Sequence, residues 1–355
     1  MAEFECVLAA RVPQEVGPPN LVEVDRLVFD TLKYTDELNR PGSASAGCPI
    51  RSLSDAVKER LSNLRNFPSE LWVYADDGLA WAGEIQVASV AGQAVQLSAA
   101  GLLGYTFRMG VTADLVFSED DQFLIGKALV DHWQDLPFGD YGLDTSGIGT
   151  SGVLRDRTYL ASELHNIGTR LAELGAVENG FDIWVDPDTR ELRFAYPTRG
   201  LDLSASVFLD ERNIDSADVA LSVAPDDLVS DGLFSGTTEY DDGESQTLYV
   251  ARANVAVREA YGRTWGSENF DKVSVLTTLE EHGDAYLAAR AQQFFQPGVT
   301  VKSRIGCEPG DFGPGDTVSY AYDAGLGLQA GAYRVSKLSV SVDRSNDQTM
   351  EVEFV

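Results

Sequence analysis

The stretch Glu70–Ile85, ELWVYADDGLAWAGEI, decides how the rest of the chain is read. Two runs of aromatic and apolar residues flank Asp76-Asp77-Gly78, and an Asp-Gly pair between such runs predicts a β-hairpin. Side chains alternate along a strand, so Leu71, Val73 and Ala75 point one way and Trp72 and Tyr74 the other. On the return run, Leu79, Trp81 and Ile85 are expected to share a face. Neither strand has a clearly polar side, so the hairpin is expected to be covered on both faces, by a core and by something else. Two covers fit equally: another subunit, or the centre of an ordinary sandwich or barrel.

On the N-terminal side, Phe4–Arg11 reads as a strand, followed by a loop marked by Pro13, Pro18 and Pro19. Leu21–Leu32 reads as one or two strands. In Tyr34–Ile50, Asn39-Arg40-Pro41-Gly42 is turn chemistry, and small residues then lead to Cys48-Pro49. Ser54–Leu64 predicts a helix with Val57, Leu61 and Leu64 on one face, Ser54 as N-cap and Asp55 near the positive end of the dipole. Beyond the hairpin, Gln93–Ala99 is a further strand, followed by Gly101-Leu102-Leu103-Gly104-Tyr105, and this β-dominated block closes near Gly110.

The middle block differs in kind. Asp120–Gln134 predicts a helix with Phe123, Leu124, Ala128 and Trp133 among its apolar positions. Phe138–Gly152, FGDYGLDTSGIGTSG, is rich in Gly, Ser and Thr and reads as a long exposed loop. Tyr159–Leu174 is the clearest helical pattern: Leu160, Leu164, Ile167, Leu171 and Leu174 fall at 4, 3, 4, 3 spacing, with Gly175 where a C-terminal cap belongs. Its seam is too short for a coiled coil and reads as a core face. A hairpin follows, Phe181–Val185 and Leu192–Tyr196 around the turn Asp186–Thr189.

The last block is β-rich again. Leu203–Leu209, Ser216–Val223 and Thr247–Val257 read as strands, Tyr240–Glu244 as an acidic turn, and Tyr261–Lys272 as irregular. Leu279–Phe295 predicts a helix with Leu287, Ala291 and Phe294 on one face, stopped by Pro297-Gly298. Strands are expected at Val299–Ile305, Thr317–Tyr322, Tyr333–Val342 and Thr349–Val355. The first and last blocks share one plan of strands, one helix and strands, without an exact repeat.

The 355 residues suffice for roughly two or three domains. The net charge of −29, from 56 acidic and 27 basic residues, argues against nucleic acid as a bound partner, because binding sets cations against phosphates. A carboxylate-rich wall would still let nucleic acid pass without sticking; plain solubility accounts for the same charge. Cys6, Cys48 and Cys307 are sparse and lack CxxC spacing, which predicts neither a disulfide framework nor a zinc site and fits a reducing compartment. The N-terminus has no signal-peptide pattern, and no apolar stretch reaches the about 18 residues of a membrane helix, so synthesis in the cytoplasm without ordinary export is expected.

No constellation of residues carries catalysis. His132, His165 and His282 are far apart, form no metal or triad pattern, and are expected on helices as surface or packed residues. Gly147–Gly152 resembles a phosphate loop but lacks the Lys. Cys48, between Gly47 and Pro49, reads as structural rather than nucleophilic. Asp182, Asp186 and Asp188 surround one turn and could hold calcium, but they lack the ligand order of an EF-hand and read as a solvated turn. The expected catalytic, cofactor and metal residues are therefore none.

Two stretches, in this order, carry a resemblance. Arg26–Ile85 looks like the N-terminal part of minor tail proteins of long-tailed phages of actinobacteria: a strand, a Tyr…Leu…Pro-Gly-Ser turn, then a Val-Tyr…Asp-Gly…Trp…Gly hairpin. Ala285–Tyr322, AYLAARAQQFFQPGVTVKSRIGCEPGDFGPGDTVSYAY, is similar to the closing segment of the tail-hub family, which includes the baseplate hub of contractile phages and related secretion spikes. The middle block has no such match.

The resemblance implies an α+β, β-dominated chain with two tail-tube-like antiparallel β-barrel domains and a smaller helix-containing middle region. The expected division is 1–110, 111–200 and 201–355, with blocks free to interleave and one barrel discontinuous. It further implies a non-enzymatic virion protein at the tail tip, made in the host cytoplasm. Three copies would form a ring that mimics the sixfold tube, and strands covered on both faces suit such a barrel between subunits. The expected partners are further copies of the chain, distal tail and tail-tube proteins, other minor tail, fibre or spike proteins, and DNA in transit without specific binding. No membrane span and no cofactor are implied. The chain ends at Val355 without a long extension, which would leave lytic or adhesive roles to other tail proteins. The rival expectations are a tail-associated cell-wall hydrolase acting through carboxylates, and a carbohydrate-binding module using Trp72, Trp81 or Trp184 as stacking platforms.

Overall fold

The computed structural model describes residues 2–76, 78–177, 179–222, 228–239, 245–271, 276–291, 294–302, 307–323, 325 and 328–355. The first block holds β1 (Phe4–Val12), β2 (Asn20–Leu27), β3 (Thr31–Glu37), β4 (Arg40–Pro49), α1 (Asp55–Ser62), β5 (Ser69–Ala75), β6 (Gly78–Ala91) and β7 (Ala94–Gly101). A 3-10 helix, Leu102–Arg108, leads to β8 (Leu115–Asp121), α2 (Gln122–Gln134), β9 (Leu154–Tyr159), α3 (Ile167–Gly175), β10 (Asp182–Val185) and β11 (Leu192–Ala195). Then come β12 (Phe208–Asp210), β13 (Ile214–Ser222), β14 (Asp231–Glu239), β15 (Ser245–Ala253), α4 (Val255–Tyr261), β16 (Trp265–Asp271) and α5 (Leu276–Ala289). The chain closes with β17 (Phe294–Lys302), β18 (Thr317–Asp323), β19 (Leu328–Asp343) and β20 (Gln348–Phe354). Residues 1–217 and 299–355 form one compact unit and Asp218–Gly298 a second.

The hairpin β5–β6 forms as its sequence predicts, with one shift at the turn. Gly78 already sits in the ladder opposite Ala75, and Asp76 takes the left-handed conformation at φ 52. Asp76 is held there by the Glu3 backbone, whose amide donates to its carboxylate at 2.9 Å and whose carbonyl accepts from its amide at 2.7 Å. A bulge at Ala80 puts Trp81 opposite Val73 but Leu79 opposite Tyr74. Leu79 and Trp81 therefore lie on opposite faces, contrary to expectation. Leu71, Val73, Trp81 and Ile85 are buried on one face. A Cβ at Gly83 would stand 2.1 Å from the Ala100 carbonyl and 2.5 Å from the Trp81 ring, so only glycine admits this packing.

The other face of the hairpin is covered by the same chain rather than by a neighbour. Trp72, Leu79 and Ala82 pack into a core built by the middle block, where Tyr105, Ile125, Leu129, Ile167, Leu171 and Ile183 are buried. Each buried Leu or Ile contributes about 1.5–3 kcal/mol of transfer free energy.

The first and last blocks meet in one sheet, ordered β20-β19-β3-β4-β7-β6-β5-β1-β2. β19 lies antiparallel to β3, and across that seam the Thr35 and Ser339 hydroxyls share a buried 3.0 Å hydrogen bond, 304 positions apart. β18 pairs antiparallel with β19 and parallel with the short β12. Of the expected strand Leu203–Leu209, only the end joins β12; Val207 instead donates its amide back to the Leu203 carbonyl at 2.8 Å.

The helical pattern at Tyr159–Leu174 is divided. Tyr159 ends β9, Leu160 and Leu164 are 38% and 89% exposed, and Leu164 is left-handed at φ 57. Between them Ala161–Glu163 makes a single 3-10 turn; Asn166 then bridges Gly110 and caps α3 by accepting from the Thr169 amide at 2.7 Å. Ile167, Leu171 and Leu174 keep the seam's core role. Ser54 caps α1 as expected, accepting from Val57; α2 starts at Gln122 and buries Phe123, Ile125, Leu129 and Val130, whereas Leu124 is exposed. The loop Phe138–Gly152 is anchored rather than simply exposed: Leu143 is buried, and both its backbone groups bond the Gln134 amide side chain, at 2.8 and 3.1 Å.

In the second unit, β14 lies between antiparallel β15 and parallel β16. α5 packs on this sheet over Phe234, Leu279 and Leu287, all buried. Thr247–Val257 is not one strand: Asn254 caps α4 by accepting from the Val257 amide at 3.3 Å. Tyr261–Lys272, expected to be irregular, contains β16. The helix expected to run to Phe295 ends at Ala289, and Phe294, Pro297 and Gly298 lie in β17; strand pairing overrides the helical spacing. The acidic turn Tyr240–Glu244 and Asp77 lie outside the described residues.

Candidate functional site

Glu70, at the start of β5, is fully buried and lies on the same face as Trp72. Its carboxylate accepts from the Trp72 indole at 2.9 Å and the Tyr105 hydroxyl at 2.7 Å. The Arg190 guanidinium forks onto both oxygens at 3.0 and 3.2 Å. Arg190 also donates to the Tyr141 and Gly142 carbonyls, both at 3.0 Å. Burial, then the charge of Glu70, push the Tyr105 phenol well above its usual range, which keeps it a donor. Glu84 stands opposite Glu70 in the ladder and pairs with Arg108 at 2.7 Å and Arg11 at 3.6 Å. Arg11 lies 5.3 and 5.1 Å from the Tyr105 and Tyr141 rings, which stack on each other. Both oxygens of the Glu70 carboxylate thus accept hydrogen bonds from side chains of the same chain. The arrangement clamps the middle block to the hairpin and leaves no group poised to attack a substrate.

A second junction is built on Asp182. It accepts from the Asn39 side chain at 2.9 Å, the Arg199 amide at 2.6 Å and the Arg334 guanidinium. Asn39 in turn accepts from the Ile183 amide at 2.7 Å. One buried carboxylate therefore ties together the β3–β4 turn, β10, the segment at Arg199 and β19.

The loop that resembles a phosphate site does cradle an anion, and the anion is the chain's own. The backbone amides of Ser151 and Gly152 donate to the Asp121 carboxylate at 3.1 and 2.7 Å, and Asp121 caps α2 by accepting from Phe123 at 2.8 Å. Burial raises this carboxyl, but the amides of Ser151, Phe123 and Gly152 outweigh it and hold it below the usual carboxylate range.

The remaining candidates are structural as placed. Asp186 accepts from the Asp188 and Thr189 amides at 3.1 and 3.0 Å and closes its turn, while Asp182 is engaged as above. Among the described residues no three His, Cys, Asp or Glu side chains gather in a geometry for a metal ion. His132 contacts Thr112 at 2.9 Å from α2, and His282 on α5 stacks on Phe270. His165 lies outside any helix, next to the cap of α3, correcting the expectation for that residue. Cys48 is fully buried and burial pushes its thiol up to about 11, which removes it as a nucleophile. Trp81 is buried, Trp72 donates to Glu70, and Trp184 lies 4.8 Å beneath the Arg199 guanidinium, so none is a free stacking platform.

Sequence reading missed Glu70, Glu84 and Arg190 as a joined set, and it read Asp182 as part of a solvated turn rather than as a junction of its own. The available signal was two carboxylates inside an otherwise apolar hairpin, at positions that face the same way as Trp72.

No protein-family model matches the sequence, and no curated protein matches it. Solved structures do. A 43 kDa tail protein of prophage MuSo2 from Shewanella oneidensis aligns with TM-score 0.66 and 11% identity, over 99% of this chain and 98% of that one. The tail protein from Neisseria meningitidis MC58 aligns with TM-score 0.61 and 14% identity, over 98% and 96%. Prophage tail protein gp18 from Listeria monocytogenes EGD-e aligns with TM-score 0.57 and 14% identity, over 98% and 94%. Nearly end to end, this chain has the fold of solved phage tail proteins.

Proposed function

We propose that this protein is a structural hub at the distal tip of a long-tailed phage of an actinobacterial host. In this reading three copies form a ring that continues the tail tube, join it to fibre or spike proteins, and let DNA pass. The first 110 residues and the β-rich block after residue 200 would supply two tube-like barrels per subunit, closed by neighbouring copies. The observation that carries the reading is the fold likeness to tail proteins across almost the whole of both chains. Two features support it. The surplus of 29 negative charges suits a conduit that must not retain DNA. The buried Glu70 and Asp182 junctions rigidify the chain instead of preparing chemistry.

Cryo-electron microscopy of the intact tail tip tests the reading. The expected map shows three copies around the tail axis with carboxylates lining the bore. A monomer in the particle, or a neutral or basic bore, would sink it. Incubation with host peptidoglycan is expected to release no fragments; release would favour the hydrolase.

A further inference from the structure

The geometry points to a binding face for a neutral, extended sugar chain on the second unit, on the side of its sheet turned away from α5. α5 covers one face of the β15-β14-β16 sheet. Phe234, Leu248, Val250 and Phe270 pack on that side, and a Cβ at Gly266 would meet Val229 and Tyr286 there. Alternation along the strands turns Leu233, Tyr249 and Trp265 to the opposite side. They stand in solvent: Trp265 is 65% exposed, Tyr249 64% and Leu233 38%. Trp72, Trp81 and Trp184 are engaged within the fold, whereas Trp265 is the one exposed tryptophan of five. Large rings left in water on a folded surface mark a contact site.

Their spacing says more. Trp265 lies opposite Asp231 on β14, and Tyr249 lies opposite Ser235, with Leu233 between those two positions. The three side chains therefore form a diagonal across the three strands. Four residues along a strand and two strand spacings across set the two rings about 16 Å apart, the reach of a short oligosaccharide. The other outward positions of this block are Ser235, Ala251, Ala253, Ser267 and Asn269, none of them charged. Ser235 and Asn269 hydrogen-bond each other at 2.9 Å, so hydroxyl and amide groups share the face with the rings. Asp231, at the margin, is paired with Arg258.

This is the chemistry of a pyranose chain. The electron-rich face of an aromatic ring attracts the slightly positive C–H bonds of the sugar, and hydroxyl and amide side chains exchange hydrogen bonds with its hydroxyls. Other occupants fit less well. Bases also stack on exposed rings, but a polyanion is repelled by a chain of −29, and none of the outward positions is a cation. A protein interface gathers its anchors into one packed, water-free centre, whereas these rings stand apart with small residues between them. The site does not depend on three copies forming a ring.

The test is calorimetric titration of the full chain with cellohexaose and with chitohexaose, both uncharged and extended. Acrylamide quenching of tryptophan fluorescence is measured in the same mixtures. The expected result is saturable binding of at least one of the two, with quenching reduced in its presence. The double variant Tyr249→Ala, Trp265→Ala should keep its melting temperature, because both rings are exposed, and bind about tenfold or more weakly. Trp265→Phe keeps a ring and should retain most of the binding; Leu164→Ala, an exposed leucine in the other unit, should retain all of it. If the double variant fails to fold, protection of the parent's tryptophan fluorescence by the sugar carries the same decision. Failure of both sugars to bind, or binding that the double variant retains, overturns the proposal. Protection from quenching only on adding another tail protein, without sugar binding, also overturns it and makes the face a protein contact.

Discussion

Glu70 and Glu84 face each other directly across β5 and β6, two carboxylates in one cross-strand pair inside the protein. Like charges so placed repel. The pair persists because each carboxylate has its own cation, Arg190 for Glu70 and Arg108 for Glu84.

Removing one member of the Glu70–Arg190 pair strands the other. Glu70→Ala is expected to cost about 3–5 kcal/mol, the penalty of an uncompensated buried charge. Arg26→Ala, which breaks an exposed pair with Glu5, should cost about 0–1 kcal/mol. Urea denaturation of both variants checks the contrast; equal losses would refute the clamp.

Asp121 predicts a pH dependence. Its folded carboxyl lies below the ordinary value of 3.8, so its stabilising contribution is present above that value and is lost as pH falls through the folded pKa. Asp121→Ala is expected to cost about 1–2 kcal/mol at neutral pH from the lost cap alone. The difference between variant and parent should shrink in unfolding curves taken at pH values below about 4. A difference that is flat down to the lowest pH would show that the nest does not favour the charged form.

Gly83→Ala should fail for steric reasons, because its Cβ would collide with the Ala100 carbonyl and the Trp81 ring. A loss of about 1–3 kcal/mol or more is expected from such overpacking, read as a lowered melting temperature. Gly149→Ala, with nothing within 4 Å of the added Cβ, should leave the melting temperature nearly unchanged.

Leu164 makes the opposite prediction. A left-handed leucine that is 89% exposed loses little on replacement. Leu164→Gly is expected to stabilise the protein by about 1 kcal/mol through relief of backbone strain. Destabilisation would mean that the side chain makes a contact in solution that outweighs the strain.

The amino-acid sequence determined by itself what depends on neighbours along the chain. The central hairpin, the cap at Ser54 and most strands of the first block follow from alternation, turn residues and short polar side chains acting locally.

Tertiary structure decided the rest, because it depends on groups brought together from far along the chain. The leucine spacing through Leu160 and Leu164 is helical, yet that backbone makes only a 3-10 turn, Ala161–Glu163, ended by a left-handed Leu164 before the Gly110–Asn166 bridge. Phe294 has helical spacing and sits in a strand. The second face of the hairpin is closed by the middle block, through Glu70 and an arginine 120 positions away. Periodicity reports how a segment would bury itself; which surface is available to bury it against is a property of the assembled fold alone.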